Sequence, residues 1–352
     1  MTIEVLHPYE KGEVVQLLRA ASRDGRRILA VGGRQHMDRG ETCEMDAELW
    51  TRQLDGLVSY EPAEMVAVVG AGMRVGELQR ILAGGGQEWP VDAPAEATVG
   101  GVIAAGASSP RRMRVGTVRD TVLEVELATG DGRLVKGGAR TVKQSTGYSL
   151  PRLATGSLGT LGVIVQAALK VRPLPKSHRT LIAQGDGLSL SGRMLDVVPL
   201  PAAVLATPSA AEVRLEGWTG EVEEQTEIAR SVAPDLEVED DVPFPSIAPW
   251  DAMPIVTEAA VPPSRLPSLV AASGDAWGAL LGVGVAWIGL PEEGDALEVL
   301  RRKASELGGI APVIRGEGGL GYPVPAPEVH RRLKQAFDPA GILAPGRLGS
   351  GS

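Results

Sequence analysis

Hydrophobic and polar positions change period several times within the first third of the chain. "EVLHPYEKGEVVQLLRAASRDGRRILAVGG" begins extended, then carries Val14, Val15, Leu17 and Leu18 on one helical face, and then becomes a short apolar run. This pattern predicts strand, helix over 11–24 stopped by Gly25, and strand over 27–31. The same grammar returns further on. Segments 57–60 and 65–70 read as paired strands about a Glu61-Pro62 turn, and 75–82 reads as a short helix ended by three glycines. "TVLEVELATGDGRLVKGG" reads as a hairpin about Gly130, Asp131 and Gly132. A strong strand is expected over 163–171.

Between these elements, 87–120 shows little periodicity and reads as a long loop, too apolar to be disordered. Beyond Pro175 the character shifts. Prolines scatter through "VVPLPAAVLATP", "DVPFPSIAPW" and "VPPSRLPSL", with amphipathic helices expected over 220–232 and 292–307. The apolar run "AWGALLGVGVAWIGLP" at 276–291 is too short and glycine-rich to span a bilayer and reads as a buried strand. A last helix is expected over 328–337, broken at Asp338-Pro339. No internal repeat of about 20–50 residues is visible.

Composition narrows the function. The chain has 352 residues, long for one domain, so two lobes are expected. It is 43% hydrophobic with a formal net charge of −9, which suits a real core and argues against nucleic acid or an anionic membrane as partner. One cysteine, Cys43, excludes an internal disulfide or a cysteine metal site, and fits a reducing cytoplasm. The N-terminus has neither the basic nor the apolar region of a signal peptide. His7, His36, His178 and His330 fall in no ligand spacing, so no metal site is expected. GxSxG and P-loop signatures are absent. "GAGMRVG" at 70–76 has GxGxxxG spacing and lacks the βαβ context of a Rossmann fingerprint.

What remains is a set of glycine-bearing loops beside strands: "VGGRQH" (31–36), "PAEATVGGVIAAGASS" (94–109) and "LATGSLGTLGVI" (153–164). Successive backbone N–H groups in such loops form anion-binding concavities. Each alone is indistinguishable from a turn. Three in one half of the chain point to a long cofactor containing a diphosphate.

The order of these motifs, with "VVGAGMRVGELQRIL", "RRMRVGTVRDTVLEVELATGDG", "VKQSTGYSLPRLATGSLGTLGVI", "LKVRPLP" and the tail "RRLKQAFDPAGILAPGRL", resembles the vanillyl-alcohol oxidase / p-cresol methylhydroxylase superfamily of FAD proteins. "VRLEGW" and "VPPSRLPSL" are similar to the cap of its glycolate oxidase FAD-binding (E-type) branch. The resemblance implies an α+β fold. A PCMH-type FAD-binding domain would occupy 1–175, in subdomains of about 1–56 and 57–175. A smaller α+β cap would occupy 176–320, and a C-terminal segment, 321–352, would return to the FAD domain.

It further implies FAD held along Gly32, Gly33, Arg34, Gln35 and His36, then Pro94, Thr98, Val99, Gly100 and Gly101. Gly116, Thr117 and Asp120 would continue the site, with Gly156, Gly162, Val163 and Ile164 at the adenine side. FAD is expected to be non-covalent, with a covalent link through His36 as the alternative. For a 2-hydroxy-acid carboxylate the weak candidates are Arg315, Tyr322 and Arg347; no general base stands out. The implied role is a flavoprotein subunit of a glycolate oxidase or dehydrogenase complex, partnered by a related D-type flavoprotein and an iron–sulfur subunit. Its location would be cytoplasmic, reaching the inner membrane only through partners. The alternatives are a non-catalytic scaffold subunit and a stand-alone FAD-dependent alcohol or sugar oxidase. Three departures from the family pattern stand out: Arg34 where a third glycine is common, Ala344 in "APGR" where "NPGR" is common, and "KQSTGYS" at 143–149.

Overall fold

The structure is a computed structural model describing residues 3–140, 149–240 and 242–349. Most of "KQSTGYS" therefore lies outside the described residues. The chain divides into two compact units. The first comprises 1–109, 117–174 and 323–352, and the second comprises 110–116 and 175–322.

The first unit opens with β1 (Glu4–Leu6), α1 (Lys11–Asp24), β2 (Ile28–Val31) and β3 (Ala47–Trp50). The α1 helix buries Val14, Leu18 and Ala21, one stripe at helical spacing. Gly25 ends it in the left-handed region at φ 65°, its N–H donating to Ala21 O. The three strands pair in parallel in the order β1-β3-β2.

A five-stranded antiparallel sheet follows, built from β4 (Leu57–Glu61), β5 (Val66–Gly70), β7 (Val122–Ala128), β8 (Leu134–Gly138) and β9 (Val163–Lys170) in the order β4-β5-β9-β7-β8. Its helices are α2 (Val75–Gly84), α3 (Val99–Ala105), α5 (Val118–Thr121) and α6 (Leu150–Ala154); β6 (Gln87–Glu88) is a separate short strand, and α4 (Arg112–Val115) belongs to the second unit. The buried core joins Val69, Leu78, Trp89, Val99, Ile103 and Leu169. Trp89 is fully buried and its indole N–H donates to Thr121 Oγ1 at 2.9 Å, so the ring contributes area without an unpaired polar atom.

The segment at 94–109, expected as loop, contains α3. No amphipathic stripe announced it because "TVGGVIAA" is apolar on both its faces, the one that buries Val99, Gly100, Val102 and Ile103 and the half-buried one with Gly101, Ala104 and Ala105. Thr98 caps it, accepting from Gly101 N at 3.2 Å.

The tail packs into this unit. Its helix, Pro327–Phe337, is followed by Asp338, which is 1% exposed and accepts from Ile342 N (3.1 Å), Leu343 N (2.7 Å) and Lys334 Nζ (2.9 Å). Lys334 also donates to Thr160 O and Leu343 O. These bonds lay 342–344 beside β2, with Ile28 N donating to Ile342 O and Ala344 N to Ile28 O. Ala344 sits there at φ 40°. Asparagine tolerates that conformation better than alanine does, which gives the common "NPGR" a backbone reason.

The second unit is built on an eight-stranded antiparallel sheet. Its strands run in the order Glu237–Glu239, Ser177–Gln184, Ala210–Gly217, Ala203–Ala206, Trp277–Leu280, Val285–Leu290, Ile255–Ala260 and Val313–Arg315. The run at 276–291, expected as one strand, is two. Trp277–Leu280 turns back at Gly282 and Gly284, both in the left-handed region, into Val285–Leu290. The expected helices are Thr219–Arg230 and Ala296–Glu306; Gly187–Val197 is an additional one. The short segment 110–116 joins this unit through charge. Arg111 donates to the buried Glu216 at 2.8 Å, Arg112 to Glu258 at 3.1 Å, and Arg114 to Leu200 O at 2.9 Å.

Candidate functional site

The parallel register pairs Val31 with Trp50, so the loop after β2 and the residues after β3 leave the sheet side by side at its carboxyl end. Open α/β sheets place ligand sites at that end. A cleft opens here, lined by the 32–37 loop, Thr51, 97–98, the exposed face of α3, Leu158, Gly159, 162–164 and Arg347. Its cavity volume is about 80 Å³, room for part of an extended ligand.

Of the residues singled out from sequence, Gly32, Gly33, Arg34, Gln35, His36, Thr98, Gly100, Gly101, Gly162, Val163, Ile164 and Arg347 line this cleft. The three glycine loops thus meet in one place, although Gly32 and Ile164 are 132 positions apart in the chain.

The remaining ones are not on the lining of this cleft. Pro94 O accepts from Ala97 N in a turn, and Val99 is fully buried with its N–H on Met73 O. Gly156 packs under the end of α3, its N–H on Ile103 O. Gly116, at φ 80°, belongs to the second unit. Thr117 and Asp120 engage each other in a capping box, Thr117 N and Oγ1 both donating to Asp120 Oδ2 at 2.9 and 2.7 Å. Those bonds hold the Asp120 carboxyl below its ordinary range.

Arg315 is committed to a 3-10 turn of the second unit. It donates to Trp250 O, Asp251 O and Met253 O and pairs with Asp251 at 3.2 Å. Burial raises the Tyr322 phenol above its ordinary value. Arg347 lies in the first unit at 7% exposure and donates to Met37 O.

The glycines in the loops serve two different ends. A Cβ on Gly100 would fall 2.8 Å from Ala71 Cβ, and the amides of Val99, Gly100 and Gly101 are already bonded to Met73 O, Ala71 O and Thr98 Oγ1. Small size at this second loop allows close packing and a smooth cleft wall. It does not free N–H groups for a ligand. The first loop is the reverse. Among the described residues, no acceptor takes the amides of Gly32, Gly33, Arg34 or Gln35. Arg34 sits at φ 60°, in the left-handed region, as a residue of an anion-binding nest of backbone N–H groups would. The residues lining the cleft include Arg34, His36 and Arg347 and no carboxylate. An unspent amide run in a cleft with Arg347 and no carboxylate on its lining fits the diphosphate of FAD.

Sequence reasoning missed the support behind this loop. Glu48 and Trp50 alternate onto one face of β3. Arg34 pairs with Glu48, and Trp50 Nε1 donates to Glu48 Oε2 at 2.8 Å. The guanidinium groups of Arg34 and Arg52 lie over the Trp50 ring at 5.3 and 5.1 Å. Arg52 Nε donates to Gly32 O at 3.2 Å. Only the parallel pairing of β2 with β3 brings these side chains to the loop.

Comparison with known proteins agrees with this geometry. The chain matches the FAD binding domain model over residues 4–138 and the model of the C-terminal domain of FAD linked oxidases over 325–348. It is 32% identical over 309 residues to glycolate oxidase subunit GlcE of Escherichia coli, covering 83% of this chain and 84% of that protein. The chain belongs to the FAD-linked oxidase family. It is a PCMH-type FAD protein of α+β fold and an FAD-linked oxidoreductase by family.

A D-lactate dehydrogenase of Archaeoglobus fulgidus is 32% identical over 170 residues, which cover 48% of this chain and only 38% of that enzyme. A solved structure of alkyldihydroxyacetonephosphate synthase superposes with a TM-score of 0.71 over 97% of this chain and 76% of its own, at 16% identity. That likeness is one of fold. No helix among the described residues is long and apolar enough to cross a membrane.

Proposed function

We propose that this chain is the FAD-carrying, E-type subunit of a complex that oxidises glycolate or a related 2-hydroxy acid. The observation that carries the reading is the near full-length match to GlcE, joined to a first-unit cleft whose 32–35 amides are unspent. Similarity to glycolate oxidase subunit GlcD of Bacillus subtilis, 25% over 207 residues, supports a D-type relative as partner. An iron–sulfur subunit would complete the electron path, since a single cysteine provides no cluster here.

Bound FAD supplies a two-electron acceptor for the complex. The chain's own residues hold it. The 32–35 amides and Arg347 would face the diphosphate. Thr98, Gly101 and Ala104 would line its path, and Gly162, Val163 and Ile164 would flank its far end. His36 lines the same cleft and makes the attachment question concrete. The reading keeps FAD non-covalent.

A second reading is favoured by two observations. Arg315 is spent on backbone carbonyls, and Tyr322 has its phenol proton held more firmly by burial. Neither is poised to receive a carboxylate or move a proton at neutral pH. This supports a subunit that carries flavin for electron relay or assembly while the partner oxidises the substrate.

Co-expression with candidate D-type and iron–sulfur subunits, followed by affinity purification through this chain, tests the proposal. A stoichiometric complex that reduces an artificial acceptor with glycolate supports it. Isolated chain that alone forms peroxide with an alcohol or sugar would replace it with the stand-alone oxidase reading.

A further inference from the structure

The unspent amides of the first loop point where they do because two carbonyls are pulled the other way. The Gly32–Gly33 and Gly33–Arg34 bonds are trans, the one cis bond among the described residues being Phe244–Pro245. In a trans peptide the C=O and the following N–H are antiparallel. Arg52 Nε draws Gly32 O to itself at 3.2 Å, so the Gly33 N–H faces away from Arg52. Gln35 Nε2 draws Gly33 O at 3.1 Å, so the Arg34 N–H faces away from Gln35.

Arg52 is itself held. Its guanidinium lies 5.1 Å from the centre of the Trp50 ring, and Trp50 is fixed by its bond to Glu48, which also pairs with Arg34. A Cβ at Gly32 would meet Thr98 Oγ1 at 2.0 Å and one at Gly33 would meet Glu96 O at 2.2 Å, so the backbone lies flat on 96–98.

We propose that Arg52 and Gln35 are positioning residues that preset the peptide planes of Gly32 and Gly33, so that the Gly33 and Arg34 amides meet the FAD diphosphate without rearrangement. The inference rests on the FAD reading of the cleft. In this scheme the charge of Arg52 is incidental and its Nε–H is the working group. Arg34 contributes a backbone amide, its side chain being turned to Glu48 and Trp50. Binding gains because the donors are oriented before the ligand arrives.

The test uses isosteric pairs in the full chain. Glutamine places its Nε2 where arginine has Nε; methionine places a methyl there. FAD affinity is titrated by flavin fluorescence on apoprotein, with the apoprotein melting temperature recorded alongside. Arg52→Met is expected to weaken FAD about tenfold, the equivalent of one lost hydrogen bond. Arg52→Gln should return within about threefold of the parent, because the donor survives without the charge.

Equal affinity of Arg52→Met and the parent overturns the proposal. So does an Arg52→Gln as weak as Arg52→Met, which would make charge the working property. If Arg52→Met does not fold, Gln35→Met decides on the same scale: a tenfold loss supports the proposal and parental affinity overturns it. A parent chain that takes up no FAD defeats the cofactor reading itself, a result distinct from any of these.

Discussion

Gly32 and Thr98 are in such close register that a single methyl on Gly32 would sit 2.0 Å from the Thr98 hydroxyl oxygen. That oxygen also caps α3 by accepting from Gly101 N. One contact therefore ties the first loop to the helix that forms the opposite wall of the cleft.

Gly32→Ala should damage both. The methyl must displace either the loop or the cap, an overpacking cost of about 1–3 kcal/mol. Chemical denaturation of the apoprotein should show that loss, and FAD titration should show weakened binding. An alanine variant with parental stability and affinity would mean the two segments are free to part.

Asp338 anchors the tail. Its side chain is fully buried with two backbone donors and the Lys334 ammonium on its carboxylate. Asp338→Ala leaves Lys334 without its counter-charge and should cost about 3 kcal/mol. Urea unfolding measures this directly. The variant should also bind FAD more weakly, since 342–347 carry Arg347 to the cleft.

Acid should loosen the first unit through Asp46. Side-chain and backbone hydrogen bonds from Arg27 hold the Asp46 carboxyl down at about 2. A lowered carboxyl contributes fully above its unfolded value and loses that contribution as pH falls through the folded one. The stability gap between the parent and Asp46→Asn should be constant above about pH 5 and close between about pH 4 and 2. A gap that widens on acidification would contradict the pairing.

Asp120 separates a capping role from a cofactor role. Its bonds run to Thr117 N and Oγ1, at the start of α5. Asp120→Ala should cost about 1 kcal/mol, the usual value of a lost cap. Flavin titration of the same variant should show affinity within about twofold of the parent, well under the effect of one lost hydrogen bond. A larger loss would return Asp120 to the binding surface.

How far the sequence speaks depends on where each signal comes from. The α1 helix was legible because one face is buried and the other wet, so periodicity appears in the residues themselves; the β7–β8 hairpin was legible from its alternating residues and its Gly-Asp-Gly turn. The α3 helix was not, because it is apolar on its buried and its half-buried face alike and carries no periodic contrast. The break at Gly282 and Gly284 was hidden in the same way inside an unbroken apolar run.

At the site, the glycine loops were legible as candidates, and Gly32 through His36 line the cleft together with 162–164. Their separate roles were not legible. The 99–101 amides are consumed internally while the 32–35 amides are not, which is decided by Met73 O and Ala71 O, carbonyls more than 25 residues away. Arg52, Trp50 and Glu48 were missed because nothing local marks them. They become neighbours of the loop only through the parallel pairing of β2 and β3.

The most direct measurement is the visible absorption spectrum of the purified full-length chain, before and after acid precipitation. A yellow protein is expected, or apoprotein that takes up added FAD to about one per chain, with the flavin released into the acid supernatant. A colourless protein that takes up no added FAD would contradict it.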